Sequence, residues 1–205
     1  MNRRIAFIAA CALWLAAPGA QAQSDMKLRM DSGFYMGAGV GRAEQRDFCA
    51  AIVGGTCDAK DLTWNLFAGY QFNRYFAVEG GYVDFGKATA SGFTVGGGLP
   101  AAITTKSKAF EALAVLGVPL NDAFSLYGKL GFFYYDADGV GSGASFGSTS
   151  DSGTELTYGL GAEYNITRNV SARFEWQRYL SVGSNIPNVS KGDISLIRFA
   201  TRYKF

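Results

Sequence analysis

Glu163 and Glu175 are the residues of this sequence closest to catalytic equipment, since two carboxylates in different surroundings can serve as general acid and general base. Nothing else completes such a site. The 205 residues contain no His, which removes the commonest general base, the commonest metal ligand and every Ser-His or Cys-His dyad. Gly81 to Ala88 reads GYVDFGKA, one residue short of the phosphate-cradling G-x-x-x-x-G-K-[ST]. Ala88 stands where the Mg²⁺-ligating hydroxyl belongs, and no helix start follows. Asp136-Ala-Asp138-Gly139 supplies two acids of a calcium loop without its twelfth-position Glu. No catalytic, cofactor-binding or metal residue is assigned, and no enzyme activity is expected.

A different chemistry emerges from eight charges placed at every second position of segments whose alternate face is apolar. These are Glu79, Glu111, Lys129, Glu163, Arg173, Glu175, Arg198 and Arg202, four acids and four bases. If that face turns inward, the set reads as an interior ion network, because buried charges without partners cost several kcal/mol each. A turn centred near Thr167-Arg168 places Glu163 opposite Arg173, and Glu111 is expected diagonal to Lys129. An eight-stranded barrel is only wide enough for side chains to fill, so the network predicts a structural plug. The alternative is a narrow, porin-like path for ions or small solutes.

The elements that would carry these residues are strands. Gly is 27 residues, Phe 16, Tyr 11 and Pro only 4, and each Gly in a helix costs about 1 kcal/mol relative to Ala. From Leu62 to Phe72 the even positions are Leu62, Trp64, Leu66, Ala68, Tyr70 and Phe72; from Thr154 to Ile166 one face is Leu156, Tyr158, Leu160, Ala162, Tyr164 and Ile166. Period two recurs in Gly33 to Arg42, Tyr75 to Gly86, Lys106 to Val118, Ala123 to Tyr135, Val170 to Leu180 and Asp193 to Phe205. Eight runs of about 10 to 13 residues suit tilted strands crossing a hydrocarbon layer. The run Lys106 to Val118 is apolar on both faces and leaves its register open, and Tyr82 to Phe85 is a place for a bulge.

Connections alternate in length. Three are tight and rest on Asn, at Asn73-Arg74, Asn121-Asp122 and Asn165 to Asn169, with Gly69, Gly117 and Gly161 four positions before each. Four are long and rich in Gly and Ser, at Ala43 to Asp61, Lys87 to Thr105, Asp136 to Gly153 and Ser181 to Gly192; Gly96 to Gly98 and Gly139 to Gly147 read as flexible loop. Short turns on one side and long loops on the other mark an outer-membrane barrel, and closure is required because an open sheet in lipid leaves two unpaired edges. The predicted fold is all-β, an eight-stranded antiparallel up-and-down transmembrane barrel. Trp64, Tyr134, Tyr158, Trp176 and Tyr179 are candidates for its aromatic girdles. Arg42 and Arg178, outward near the extracellular ends, either snorkel or meet lipopolysaccharide phosphate.

Residues 1–22 read as a cleaved signal peptide: Asn2-Arg3-Arg4 is a short basic start, Ile5 to Ala17 is apolar but too short to span, and Ala20-Gln21-Ala22 is the small-x-small cleavage site. Residues 23–32 are expected as a periplasmic lead-in and 33–205 as the barrel. Losing Arg3 and Arg4 takes Lys plus Arg from 19 to 17, equal to the 17 Asp plus Glu, so no electrostatic case for nucleic acid exists. Cys49 and Cys57 in an exported chain are expected to form a disulfide across the first long loop.

The alternation Ile197, Phe199, Thr201, Tyr203, Phe205 ending on an aromatic resembles the C-terminal signal, here Tyr203 and Phe205, that outer-membrane assembly machinery reads in Gram-negative barrels. The segment Gly69 to Phe85, GYQFNRYFAVEGGYVDF, resembles the second hairpin of small barrels related to the outer membrane protein A transmembrane domain, and Gly33 to Gly41, GFYMGAGVG, is similar to their first strand. Nothing after Phe205 corresponds to the peptidoglycan-binding domain of two-domain members, so stand-alone or opacity-type barrels are the closer comparison. The resemblance implies outer-membrane localisation, contact with membrane lipid and lipopolysaccharide, and a structural or adhesion-type role with loops open to a host or phage partner. The lipid-modifying barrels of similar architecture use a catalytic His that is absent here.

Overall fold

The computed structural model describes residues 32–45, 52–94, 100–142, 148–182 and 192–205. Nine strands run through them: β1 Gly33–Gln45, β2 Ile52–Asp58, β3 Lys60–Gln71, β4 Phe76–Thr94, β5 Pro100–Pro119, β6 Phe124–Ser142, β7 Ser148–Asn165, β8 Val170–Val182 and β9 Gly192–Lys204. The antiparallel order β4-β3-β1-β9-β8-β7-β6-β5 closes on itself through β4–β5 pairing. Eight strands therefore form the barrel, while β2, among the described residues, pairs with the distal part of β4. The expected signal peptide and Cys49 lie outside the described residues; Cys57 lies in β2.

Closure through β1–β9, with Gly37 opposite Arg202 and Tyr35 opposite Lys204, gives the backbone the partners that lipid cannot provide. Alternation then sorts the side chains. Leu130, Phe132, Leu160 and Phe199 are 60%, 60%, 65% and 66% exposed, an outward apolar surface that only a membrane accommodates. On β5 the outward positions from Phe110 to Val118 span roughly 20 Å of membrane normal at ~3.3 Å rise and ~40° tilt, most of the usual apolar band.

Asn73 Oδ1 accepts from the amides of Tyr75 and Phe76 at 2.8 and 2.9 Å, and Asn121 Oδ1 accepts from Ala123 and Phe124 at 2.9 and 2.8 Å. These side chains imitate a backbone turn. The third turn differs from expectation, because Thr167 Oγ1 takes the Asn role toward Asn169 and Val170. Of the glycines before the turns, Gly69 and Gly161 make room for aromatic rings. A Cβ there would stand 2.6 Å from Tyr35 Cζ and 2.5 Å from Tyr127 Cζ respectively.

The other side departs further from the sequence reading. Strands β4, β5, β6 and β7 are 19, 20, 19 and 18 residues long, so much of the expected loops Lys87 to Thr105 and Asp136 to Gly153 is ladder. Gly139, read as loop because Gly is depleted in strands, sits between Thr105 and Thr149. Its neighbours supply the hydrogen bonds that its own propensity would not select. The bulge falls slightly beyond Phe85: register shifts between Asp84 and Lys87 at Gly86, whose φ is 76°. The extra residue keeps Phe85 inward, turns Lys87 outward and returns Ala88 and Ala90 to the buried face.

Gly161→Val is expected to push against Tyr127 and lower barrel stability by about 1–3 kcal/mol. Urea unfolding of the refolded protein in lipid vesicles measures this, and an unchanged midpoint would contradict the ring-over-glycine packing.

Candidate functional site: a charged and plugged lumen

All eight charges assigned to the inward face are buried, with exposures from 1% for Glu175 and Arg198 to 9% for Arg202. Their side chains come from β4 to β9, and they make one connected ladder. Near the short turns, Gln71 Oε1 accepts from Arg202 Nη2 at 2.9 Å and Lys204 Nζ at 3.3 Å. Glu163 Oε2 accepts from Arg202 Nη1 at 3.0 Å and Arg173 Nε at 2.7 Å; Glu163 and Arg173 are direct cross-strand neighbours. Arg173 Nη1 also donates to Glu79 Oε1 at 2.6 Å.

At the centre, Lys129 Nζ lies 2.7 Å from Glu79 Oε2 and 2.9 Å from Glu175 Oε1. Arg198 Nε donates to Glu175 Oε2 at 2.5 Å and its Nη2 to Gln177 Oε1 at 2.9 Å. Gln177 Nε2 and the Tyr179 hydroxyl donate to Glu111 Oε2 at 2.9 and 2.8 Å. The expected Glu111–Lys129 diagonal is not formed: Lys129 faces Val115 on β5, whereas Glu111 faces Phe133 on β6. Four residues separate the two register pairs along β5, so Glu111 reaches Arg198 at 3.9 Å and leaves Lys129 to Glu79 and Glu175.

Sequence reasoning missed the neutral members. Tyr35 and Tyr127 donate to Glu79 and Glu175 at 3.0 and 2.6 Å, and Thr157 accepts from Gln177 at 3.0 Å. Tyr127 and Thr157 sit at the same parity as Lys129 and Glu163 on their strands, which was the available signal; Tyr35 lies on a strand with no inward charge. With Tyr35 on β1 and Gln71 on β3, the ladder touches every barrel strand. The Arg173 guanidinium is also ringed by Tyr127, Phe67 and Tyr35, 5.0, 5.2 and 5.5 Å from the ring centroids, a favourable setting for a desolvated cation.

A second, apolar layer occupies the lumen toward the extracellular side. Val83, Phe85, Phe133, Tyr135, Tyr179, Ile194 and Leu196 are each at most 2% exposed and form one cluster. Phe85 and Phe133 meet Tyr179 edge to face at 4.8 and 5.0 Å. Tyr135 turns its hydroxyl to Asp151 at 3.0 Å. The Tyr179 ring lies in this inward cluster rather than in a lipid-facing girdle, because its odd parity on β8 matches Arg173 and Glu175. Glu163 and Glu175 do not form an acid-base pair: Glu163 is committed to two cationic side chains and Glu175 to three.

Tyr203 and Phe205 lie apart from the ladder, on the outward face, with rings 5.1 Å apart. A barrel of eight strands with this outward band and packed lumen has clear relatives. Residues 29–205 match the OmpA-like transmembrane domain. The chain belongs to that family. Outer membrane protein A of Shigella flexneri is 29% identical over 178 residues, 85% of this chain and 49% of that protein, so the chain spans about half the length of this curated relative. Among solved structures, Neisserial surface protein A gives a TM-score of 0.57 at 15% identity, covering 85% of this chain and 99% of that one. Ail, the attachment invasion locus protein of Yersinia pestis, gives 0.51 at 22%, covering 85% and 98%. The chain is an outer-membrane barrel of the OmpA-like kind.

Lys129→Met leaves Glu79 and Glu175 facing each other without their shared cation and is expected to cost about 3–5 kcal/mol. Adding Glu79→Gln to that variant should recover part of the loss, as read from urea midpoints. A double variant no more stable than the single would contradict the shared-cation arrangement.

Proposed function

We propose that this barrel is a non-enzymatic structural element of the outer membrane that contributes to envelope integrity and presents its long hairpins as an interaction surface. The observation that carries this reading is the contrast between its two regions. The lumen is filled by an ion ladder and an apolar layer, while β4 to β7 continue well past the lipid-facing band. Filling favours a plug over a path. A cavity of about 60 Å³ lined by Gln71, Tyr127, Glu163, Arg173 and Arg202 holds little beyond small solvent, and Phe85, Phe133 and Tyr179 stand elsewhere in the lumen as an apolar obstacle.

Several finer assignments belong to the same proposal. Residues 1–22 act as the cleaved export signal, and Cys49 pairs with Cys57 once the chain reaches the oxidising periplasm. Tyr203 and Phe205 are the element read by the outer-membrane assembly machinery. The hairpins meet a host or phage partner. For the Yersinia pestis neighbour, the name itself describes attachment and invasion; here the support is the ordered Ser- and Thr-bearing sheet that β4 to β7 carry outward.

The test is conductance across a planar lipid bilayer containing mature protein whose folding is verified by heat-dependent gel migration. A baseline current is expected. Reproducible steps whose ion preference changes in Glu163→Gln or Arg173→Ala would replace the plug with the porin-like reading.

A further inference from the structure

Beyond the lipid-facing band the wall continues on one side only, as the sheet formed by β2, β4, β5, β6 and β7. Its two edges are finished differently. β2 carries a bulge between Val53 and Thr56, where Gly54 takes a φ of 67°, one of the devices by which proteins blunt an edge. β7 has no such device. It pairs with β6 from Ser148 to Tyr164 but with β8 only from Thr157 to Asn165, so among the described residues Ser148 to Leu156 is laddered on one side alone. The strand contains no Pro, Lys or Arg, and no register shift interrupts its pairing with β6.

The edge is held open from the neighbouring strand. Continuing the Thr157–Tyr179 register would bring Ser181 opposite Glu155, yet Ser181 adopts a φ of 57°, a left-handed conformation that few residues with a side chain take. Asp193 fixes that turn. Its Oδ1 accepts from the Ser181 amide at 3.1 Å, and its Oδ2 accepts from Arg178 Nε and Nη2 at 3.0 and 2.6 Å. The end of β8 is thereby committed to β9, and the backbone groups of β7 that point away from β6 are left for another strand.

We propose that Ser148 to Leu156 is a docking edge for an extended basic segment of a partner protein, which joins the sheet as one more strand; this deepens the surface-interaction reading on which it rests. Main-chain hydrogen bonds supply the affinity, and alternate side chains choose the partner. A glycan or a lipid headgroup has no row of amides and carbonyls to match. The two faces of the edge differ in chemistry. Outward stand Ser148, Ser150, Ser152 and Thr154, all exposed, which favour Ser or Thr across the ladder. Toward the lumen stand Asp151, which holds the Tyr135 hydroxyl at 3.0 Å, and half-buried Glu155, with which no cation forms an ion pair among the described residues. A strand carrying Lys or Arg on that face meets opposite charge, and an acidic one meets like charge.

The experiment is amide hydrogen exchange, followed by NMR on the refolded mature protein in detergent micelles, with heat-dependent migration as a separate check of the barrel. The probes are a peptide of alternating Lys and Thr, the same peptide with every backbone amide N-methylated, and a peptide of alternating Glu and Thr. The Lys-Thr peptide is expected to saturate and to slow alternate amides between Ser148 and Leu156 at least about tenfold, while the other two bind at least about tenfold more weakly. Glu155→Gln should weaken the Lys-Thr peptide about threefold without changing migration. Equal binding of the N-methylated peptide, protection that falls on β2 instead of β7, or no saturation by the Lys-Thr peptide on a barrel that migrates as folded would overturn the docking edge. A Glu-Thr peptide that binds as tightly, or an unchanged Glu155→Gln variant, would overturn the basic-partner assignment. Because conductance reads the plug and migration reads the barrel, failure at this edge is distinguished from failure of the reading beneath it.

Discussion

A charge inside a barrel too narrow for bulk water has to find its counter-charge on the protein. In an up-and-down meander, opposite charges meet only when strands are closed in the correct register. Glu163 and Arg173 are neighbours across one turn, but Glu79 reaches Arg173 from β4 to β8, and Gln71 reaches Arg202 from β3 to β9. These contacts exist only around a closed sheet. The polar lumen therefore acts as a registry device: sliding one strand by a single residue turns its charges into lipid and strands their partners. Buried ion pairs are weak sources of net stability, and their value here lies in selecting one closure over its neighbours.

The two layers of the lumen divide this work. The ion ladder fixes register across all eight barrel strands, and the cluster around Phe85, Phe133 and Tyr179 fills the remaining space with rings that meet edge to face. Glycine makes both layers possible at the level of volume. Gly69 and Gly161 leave the room occupied by Tyr35 and Tyr127, whose hydroxyls then reach Glu79 and Glu175. Membership in the OmpA-like transmembrane family fits this economy of a filled interior inside an apolar band.

Much of this was legible in the sequence because both barrel faces obey a period of two. Glu79, Arg173 and Arg198 could be placed inward from their neighbours alone. Three things were not legible. Partner choice for Glu111 depended on the axial offset between strands, which alternation does not encode. The lengths of β4 to β7 were hidden by residues such as Gly139, whose intrinsic preference opposes the ladder that neighbouring strands impose. The bulge was approached but not located, because a Gly with positive φ looks like any other Gly in a sequence. That last point matters on the outside as well, where one inserted residue decides whether Lys87 faces the lumen or the outer surface.

The central claim is that the ladder is closed and pairs its charges within the protein, out of reach of bulk water. Hydrogen exchange at the guanidinium Nε–H groups of the folded protein in micelles, followed by NMR, tests it most directly. The Nε protons of Arg173 and Arg198, held by Glu163 and Glu175, should exchange orders of magnitude more slowly than that of Arg168, exposed in the third short turn. Comparable rates for all three would mean that solvent moves freely through the lumen, and would contradict the account.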